Sequence, residues 1–196
     1  VKSLNYDLKE KDKIELLDTT TKDGMRIYIR GILYIMAKAL HEKYPEALLS
    51  VNYQLSDAMF CKIDNMKVTE ELIADVKKRM QEIINANIEI RKIIMNKEEA
   101  EKFYSSEKTQ RGIAQIDNKQ KESVSLYYCE DYYNYFFGVM PVSTGYTNIF
   151  DIITYKDGFL VRYPSRKNPT VLTPHKSNKK LLATLEEYED IHKVLG

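Results

Sequence analysis

The hydrophobic and polar positions change period several times along the chain. From Met25 to Tyr44 apolar residues recur at helical spacing, with Met25, Ile29, Ile32, Leu33, Met36 and Leu40 on one stripe. Pro45 closes this helix, because it lacks an N–H and its ring clashes with the preceding turn. "LLSVNYQL" (48–55) and "AMFCKI" (58–63) then alternate as two strands, with Ser56-Asp57 as the turn between them. Helical spacing returns after Thr69, placed to cap a first turn that carries Glu70 and Glu71. Leu72, Ile73, Val76, Met80, Ile83 and Ile84 form the buried face predicted for that helix.

"IEIRKII" (88–94) reads as a strand, and Asn96 with Glu99 forms a capping box for a helix through Tyr104. Residues 105–122 are loop-rich, with a short helical turn near Ile113. From Ser123 to Tyr163 the pattern is strand-like and ends in "DIITYKDGFLVRY", a hairpin with Asp157-Gly158 at its turn. A Pro-punctuated loop follows, then a last helix with Leu181, Leu182, Leu185, Tyr188, Ile191 and Leu195 inward. Near the start, "KIELLD" (13–18) reads as a short strand at the edge of an earlier unit, and "TTTKDG" as a turn or linker. Helices interleaved with closely spaced strand pairs argue for an α+β fold with a mainly antiparallel sheet and packed helices. The spacing leaves no room for the crossovers of a parallel sheet.

The chain has 196 residues, 43% hydrophobic and 30% charged, which is one ordinary domain or one domain with a fragment of a second. Its net charge of +1 gives no bulk attraction to nucleic acid or to a membrane. Cys61 and Cys129 show no C-x-x-C spacing, and no run approaches the roughly eighteen apolar residues of a membrane span. With no signal peptide at the start, a reducing cytoplasmic setting is expected. The chain opens at Val1 and closes at Gly196 directly after a helical pattern, so both ends are expected to be cut from something longer.

The usual signatures of chemistry are sparse. None of the 7 glycines begins a phosphate-binding loop. His41, His175 and His192 are scattered, and Glu189-x-x-His192, the only local pair, suits a solvated helix face better than a metal site. Cys129 lies in a Tyr-rich strand and reads as a half-buried small residue rather than a nucleophile. Arg26, Arg30 and Tyr34 share a face of the first helix opposite much of the apolar stripe, as a surface row or a functional one. Between Asp157 and Glu186 no acidic residue occurs, while Arg162, Arg166, Lys167, Lys176, Lys179 and Lys180 accumulate. That segment is either a solvated loop or a contact for an acidic partner domain or a polyanion.

"KVTEELIADVKKRMQEIINANIEIRKIIMNKEEAEKFY" resembles the helix–strand–helix of the second additional domain of threonyl-tRNA synthetases, a fold shared with alanyl-tRNA editing proteins. "SVSLYYCEDYYNYFFGVMPVSTGY" is similar to a later segment of that domain, which also ends in a P-S-T-G turn. The first helix, up to Tyr44-Pro45, is similar to the one bearing the family's H-x-x-x-H, so the resemblance spans about residues 24–155. Editing members bind zinc, or use equivalent polar residues, through H-x-x-x-H and a later C-x-x-x-H. The resemblance places Arg30 and Tyr34 at the two histidines, and Phe136 and Met140 at the Cys and His. Arginine and phenylalanine do not coordinate zinc, and a thioether is a poor zinc ligand beside thiolate or imidazole. The implication is a degenerate, metal-free pocket with no catalytic residue. The competing implication is a metal-free deacylase using Arg30, Tyr34 and Asn134.

"DGMRIYIRGILYIMAKAL" and "GFLVRYPSRKNPTVLTPHKSNKKLLATLEEYEDIHKVLG" resemble the region before the kinase domain of long uridine-kinase-like nucleoside kinases. Those proteins carry a TGS domain, a synthetase-like editing fold and a P-loop kinase of the phosphoribulokinase/uridine kinase family. This resemblance implies a TGS-like remnant at 1–20, an editing-like domain at 21–160, and a basic loop and helix at 161–196 leading to a kinase domain. The expected role is then a non-catalytic regulatory or substrate-recognition region, with the kinase domain as partner and a nucleoside or nucleotide as candidate ligand. ATP and magnesium would belong to that kinase domain, and neither nucleic acid nor membrane is an expected partner. The alternative is a threonyl-tRNA synthetase-related editing domain acting as an aminoacyl-tRNA deacylase or a tRNA-binding module.

Overall fold

Thr21 starts the first helix, α1 (Lys22–Lys43), by accepting the Gly24 N–H on its side chain in an extended backbone conformation. In the computed structural model, which describes residues 1–106 and 123–174, α1 is central. Every residue from Gly31 to Leu40 is buried, polar positions included. The single apolar stripe expected from the sequence is therefore too narrow, because α1 has partners on more than one side. One is α2 (Glu70–Ala86), capped by Thr69, which accepts the Leu72 N–H, and ended by Asn87 in the left-handed conformation.

Two antiparallel sheets complete the framework. In the four-stranded sheet, β1 (Leu49–Gln54) pairs with β2 (Ala58–Ile63), β2 with β7 (Gly158–Arg162), and β7 with β6 (Asp151–Tyr155). The three-stranded sheet has the order β3 (Arg91–Asn96), β4 (Ser123–Cys129), β5 (Tyr132–Tyr135). The architecture is α+β and antiparallel, as the pattern predicts, with the strands divided between two sheets. The helix α3 (Lys97–Ser106) begins at the Asn96–Glu99 capping box, and both reciprocal bonds form. No described helix is long and apolar enough to cross a membrane.

Several expectations need correction. "KIELLD" forms no strand: Ile14 and Leu16 are 65% and 83% exposed, and no described strand pairs with them. An apolar run becomes a strand only where a neighbour supplies hydrogen bonds and cover. The third strand starts at Arg91 rather than Ile88, because Ile88 and Ile90 bond to Thr144 and Val142 in a later loop. The β6–β7 hairpin turns on Lys156-Asp157, with Lys156 at φ 51° and Tyr155 paired to Gly158. Gly158 belongs to the strand, where a Cβ would stand 2.2 Å from the Cys61 carbonyl oxygen. The helical turn near Ile113 and the last helix at 181–195 lie outside the described residues.

Candidate functional site

The loop after β5 is held at both ends by hydrogen bonds. Pro141 packs where a Cβ on Gly31 would be, bringing the loop onto α1. A short 3-10 turn (Thr144–Thr147) then locks onto the end of α2. The Thr144 hydroxyl donates to the Ile83 carbonyl at 2.7 Å and accepts the Ile88 N–H at 2.9 Å. Ser143 donates to the Asn87 side-chain oxygen at 2.6 Å, and that same oxygen leaves no room for a Cβ on Gly145. The Pro-Val-Ser-Thr-Gly turn is thus the counterpart that satisfies the α2 C-terminus. The sequence shows the turn but not its partner, which lies more than fifty residues earlier.

Under this loop lie most of the residues that the sequence nominates. Arg30 donates to the Val139 carbonyl at 3.0 Å, and its guanidinium fills the space beside Gly138, whose φ is +97°. A side chain at Gly138 would meet both the arginine and an unfavourable backbone region. Tyr34 is fully buried, and its hydroxyl lies 3.1 Å and 3.0 Å from the carbonyls of Tyr127 and Tyr132, with one proton to share between them. Its ring meets Tyr132 and Phe136 edge-on, at centroid distances of 5.4 and 5.7 Å. Met140 is buried in the same core. The surface-row reading of Arg26, Arg30 and Tyr34 therefore fails: only Arg26 is exposed, beside Asp23, while Tyr34 is part of the core.

Asn134 donates to the Tyr132 hydroxyl at 2.8 Å, and its carbonyl oxygen accepts the Tyr135 N–H. Its amide is used within its own strand. Tyr127 donates to the Gly138 carbonyl, and burial pushes its phenol above the ordinary range, against the pull of the nearby Arg30 charge. Cys129 is buried and its thiol is pushed up to about 11, so it is protonated at neutral pH. This ensemble can hold a loop and fill space. Among its residues no group is poised to take a proton near pH 7.

One turn further along α1 the sequence reading missed a charged centre. Lys38 is 0% exposed, and its ammonium reaches Glu42 at 2.7 Å and Glu130 and Asp131 at 3.2 Å each. Arg79 of α2 closes the group by bonding Glu42. Burial disfavours the Lys38 charge, but the carboxylates outweigh it and raise its pKa. Asp131 is lowered, chiefly by its hydrogen bond to Lys38. Glu42 is lowered too: burial alone would raise it, and Arg79 and Lys38 together reverse that. The i, i+4 spacing of Lys38 and Glu42 was readable in the sequence, but Glu130-Asp131 arrives from the β4–β5 turn.

The basic segment divides into two. Arg162 is spent on the Asp151 carboxylate at 3.3 Å and on the Thr173 carbonyl. Arg166 and Lys167 are exposed on a turn bridged by Ser165 and Asn168. Lys176, Lys179, Lys180, His175, and the Glu189–His192 pair lie outside the described residues.

Comparison with known proteins agrees with this architecture. Residues of the chain align at 31% identity over 151 positions with a probable cytoplasmic threonine–tRNA ligase of Enterocytozoon bieneusi, covering 76% of this chain and 23% of that protein. A threonine–tRNA ligase of Ligilactobacillus salivarius matches at 29% over 77% of the chain and 24% of its own length. One from Thermoplasma volcanium matches at 25% over 91% of the chain and 27% of its own length. These relatives are threonyl-tRNA synthetases, and the match falls on an editing-domain-like region. The chain spans about a quarter of the length of the curated relatives it matches. No family profile matches it. The expected nucleoside-kinase parent receives no support from these relatives.

Proposed function

We propose that this region is a tRNA-recognition module of a threonyl-tRNA synthetase-related protein, built on an editing-type fold that no longer hydrolyses aminoacyl-tRNA. The observation that carries this reading is the occupation of the pocket. Tyr34 shares its one proton between two backbone carbonyls, one Arg30 N–H is bonded to the Val139 carbonyl, and Phe136 and Met140 supply only apolar surface. An editing site must activate water and stabilise a developing oxyanion, which needs a poised base or metal and uncommitted donors. Among its described residues the pocket supplies no such base, although the Arg30 guanidinium keeps N–H donors beyond its bond to Val139. Similarity to threonine–tRNA ligases supports tRNA as the partner.

A net charge of +1 requires any such binding to be local rather than spread over the surface. The exposed Arg166–Lys167 turn and the 81%-exposed Phe137 on the pocket loop offer a cation pair for phosphates and a ring for stacking. A salt titration of tRNA binding tests this. The reading predicts affinity that falls with salt, with a log–log slope of about −1 to −3, and a shallower slope in the Arg166→Glu/Lys167→Glu variant. A flat titration would reject it. The accessory role in a nucleoside kinase, with ATP and magnesium on a further domain, now rests only on the resemblance of the two ends, and residues 175–196 of that resemblance lie outside the described structure.

A further inference from the structure

A concavity lies away from the Arg30–Tyr34 region, between the β1–β2 turn and the segment that follows β7. It has a volume of about 340 Å³ and is lined by Leu55, Ser56, Asp57, Ala58, Arg162, Tyr163, Thr173 and Pro174. Tyr163 is 2% exposed, and its hydroxyl is the one buried side-chain polar atom without a hydrogen-bond partner among the described residues. A buried hydroxyl is ordinarily paired, so an orphan on a residue that lines a cleft points to a partner that arrives from outside. Burial chiefly, and then the Asp57 charge, raise the pKa of this phenol, so it stays protonated and able to donate. The Asp57 carboxylate is close enough to act on it, and no ion pair engages Asp57 among the described residues. The other charge on the wall, Arg162, is matched by Asp151 and capped by the Thr173 carbonyl. The residues that line the cleft leave the Asp57 carboxylate without an ion pair and the buried Tyr163 hydroxyl without a partner, with apolar walls from Leu55, Ala58 and Pro174.

We propose that this cleft binds a small primary amine that also carries a hydroxyl, with its ammonium on the Asp57 carboxylate, its hydroxyl on the Tyr163 phenol and its methylene stem against the apolar walls. An anion is disfavoured by Asp57, and a purely apolar ligand would leave Tyr163 as unpaired as before. The backbone contact between the two residues, Tyr163 N–H to the Asp57 carbonyl, is untouched by side-chain changes, so Tyr163→Phe and Asp57→Asn keep the frame.

Titration calorimetry on the 196-residue chain with 4-amino-1-butanol, n-butylamine and 1-butanol tests the assignment. The amino alcohol binds the unmodified protein, and Tyr163→Phe weakens it about tenfold. Butylamine, which has no hydroxyl to lose, binds the unmodified protein and Tyr163→Phe equally. Asp57→Asn abolishes binding of both amines, and 1-butanol does not bind. Absence of amino-alcohol binding overturns the assignment, as does an affinity unchanged by Tyr163→Phe or 1-butanol binding as well as the amine. Circular dichroism of each variant at the titration temperature establishes that loss of binding is not loss of fold.

Discussion

Two regions of this fold treat their polar groups in opposite ways. Beneath the 136–147 loop, Tyr34 is bonded to two backbone carbonyls and Arg30 to a third, and Phe136 and Met140 are packed into the same core. At the far end of β7, Tyr163 is equally buried but has no partner, and Asp57 stands beside it unpaired among the described residues. The difference teaches where to look for ligands. A site whose buried hydroxyl meets partners from within reads as structural, whatever its ancestry, and a buried donor left over is the better sign of a function still in use.

The contrast is broken most forcefully at Lys38. Removing its charge with Lys38→Met leaves Glu42 half-buried beside Arg79 alone and unties the β4–β5 turn from α1. A loss of about 3 kcal/mol is expected in urea unfolding, toward the low end for a buried ion group because Asp131 is open to water. The same group sets an acid limb. Asp131 and Glu42 are lowered in the fold, so their contribution is present above the unfolded carboxylate values near ~4 and is lost as pH falls through the folded ones. Lys38 is raised, so its contribution is complete below its unfolded value near ~10.4 and fades only as pH rises through the higher folded one. Unfolding midpoints measured from pH 2 to 7 should therefore drop at the acid end, and Lys38→Met should flatten that drop.

Tyr34→Phe sharpens the comparison directly. It deprives the buried carbonyls of Tyr127 and Tyr132 of their donor and should cost about 2 kcal/mol. Tyr163→Phe, chemically the same change at an equally buried position, should shift stability by less than about 0.5 kcal/mol or raise it, because no described bond is lost. Equal costs for the two variants in the same urea series would erase the distinction. The smallest effect is expected for Arg166→Glu with Lys167→Glu, within about 0.5 kcal/mol in stability, since both side chains are exposed. Their effect should be read in tRNA affinity instead.

Local signals carried much of the fold. The Asn96–Glu99 box, the Thr69 cap and the Ser56-Asp57 turn each depend on residues a few positions apart, and each forms where the pattern puts it. The buried circumference of α1 was harder to read. Tyr34 and Lys38 count as polar by type, yet a phenol ring and a four-carbon stem bury well once a carbonyl or carboxylate meets the tip. Those partners come from Tyr127, Tyr132 and Asp131, more than ninety residues away, and no periodicity along one helix announces them. "KIELLD" shows the reverse error, a strand pattern without a neighbour. At the pocket, the sequence named the residues that the fold gathers, Arg30, Tyr34, Phe136 and Met140, but placed Arg162 in a basic patch that the structure dissolves into an ion pair.

On the proposed reading, an editing-type frame has been kept while its hydrolytic chemistry has been replaced by packing. A single-turnover time course with mischarged aminoacyl-tRNA and excess protein tests it most directly. The account predicts that the ester decays at the rate seen in buffer alone while the tRNA remains bound. Protein-dependent hydrolysis that Tyr34→Phe or Arg30→Met abolishes would contradict it.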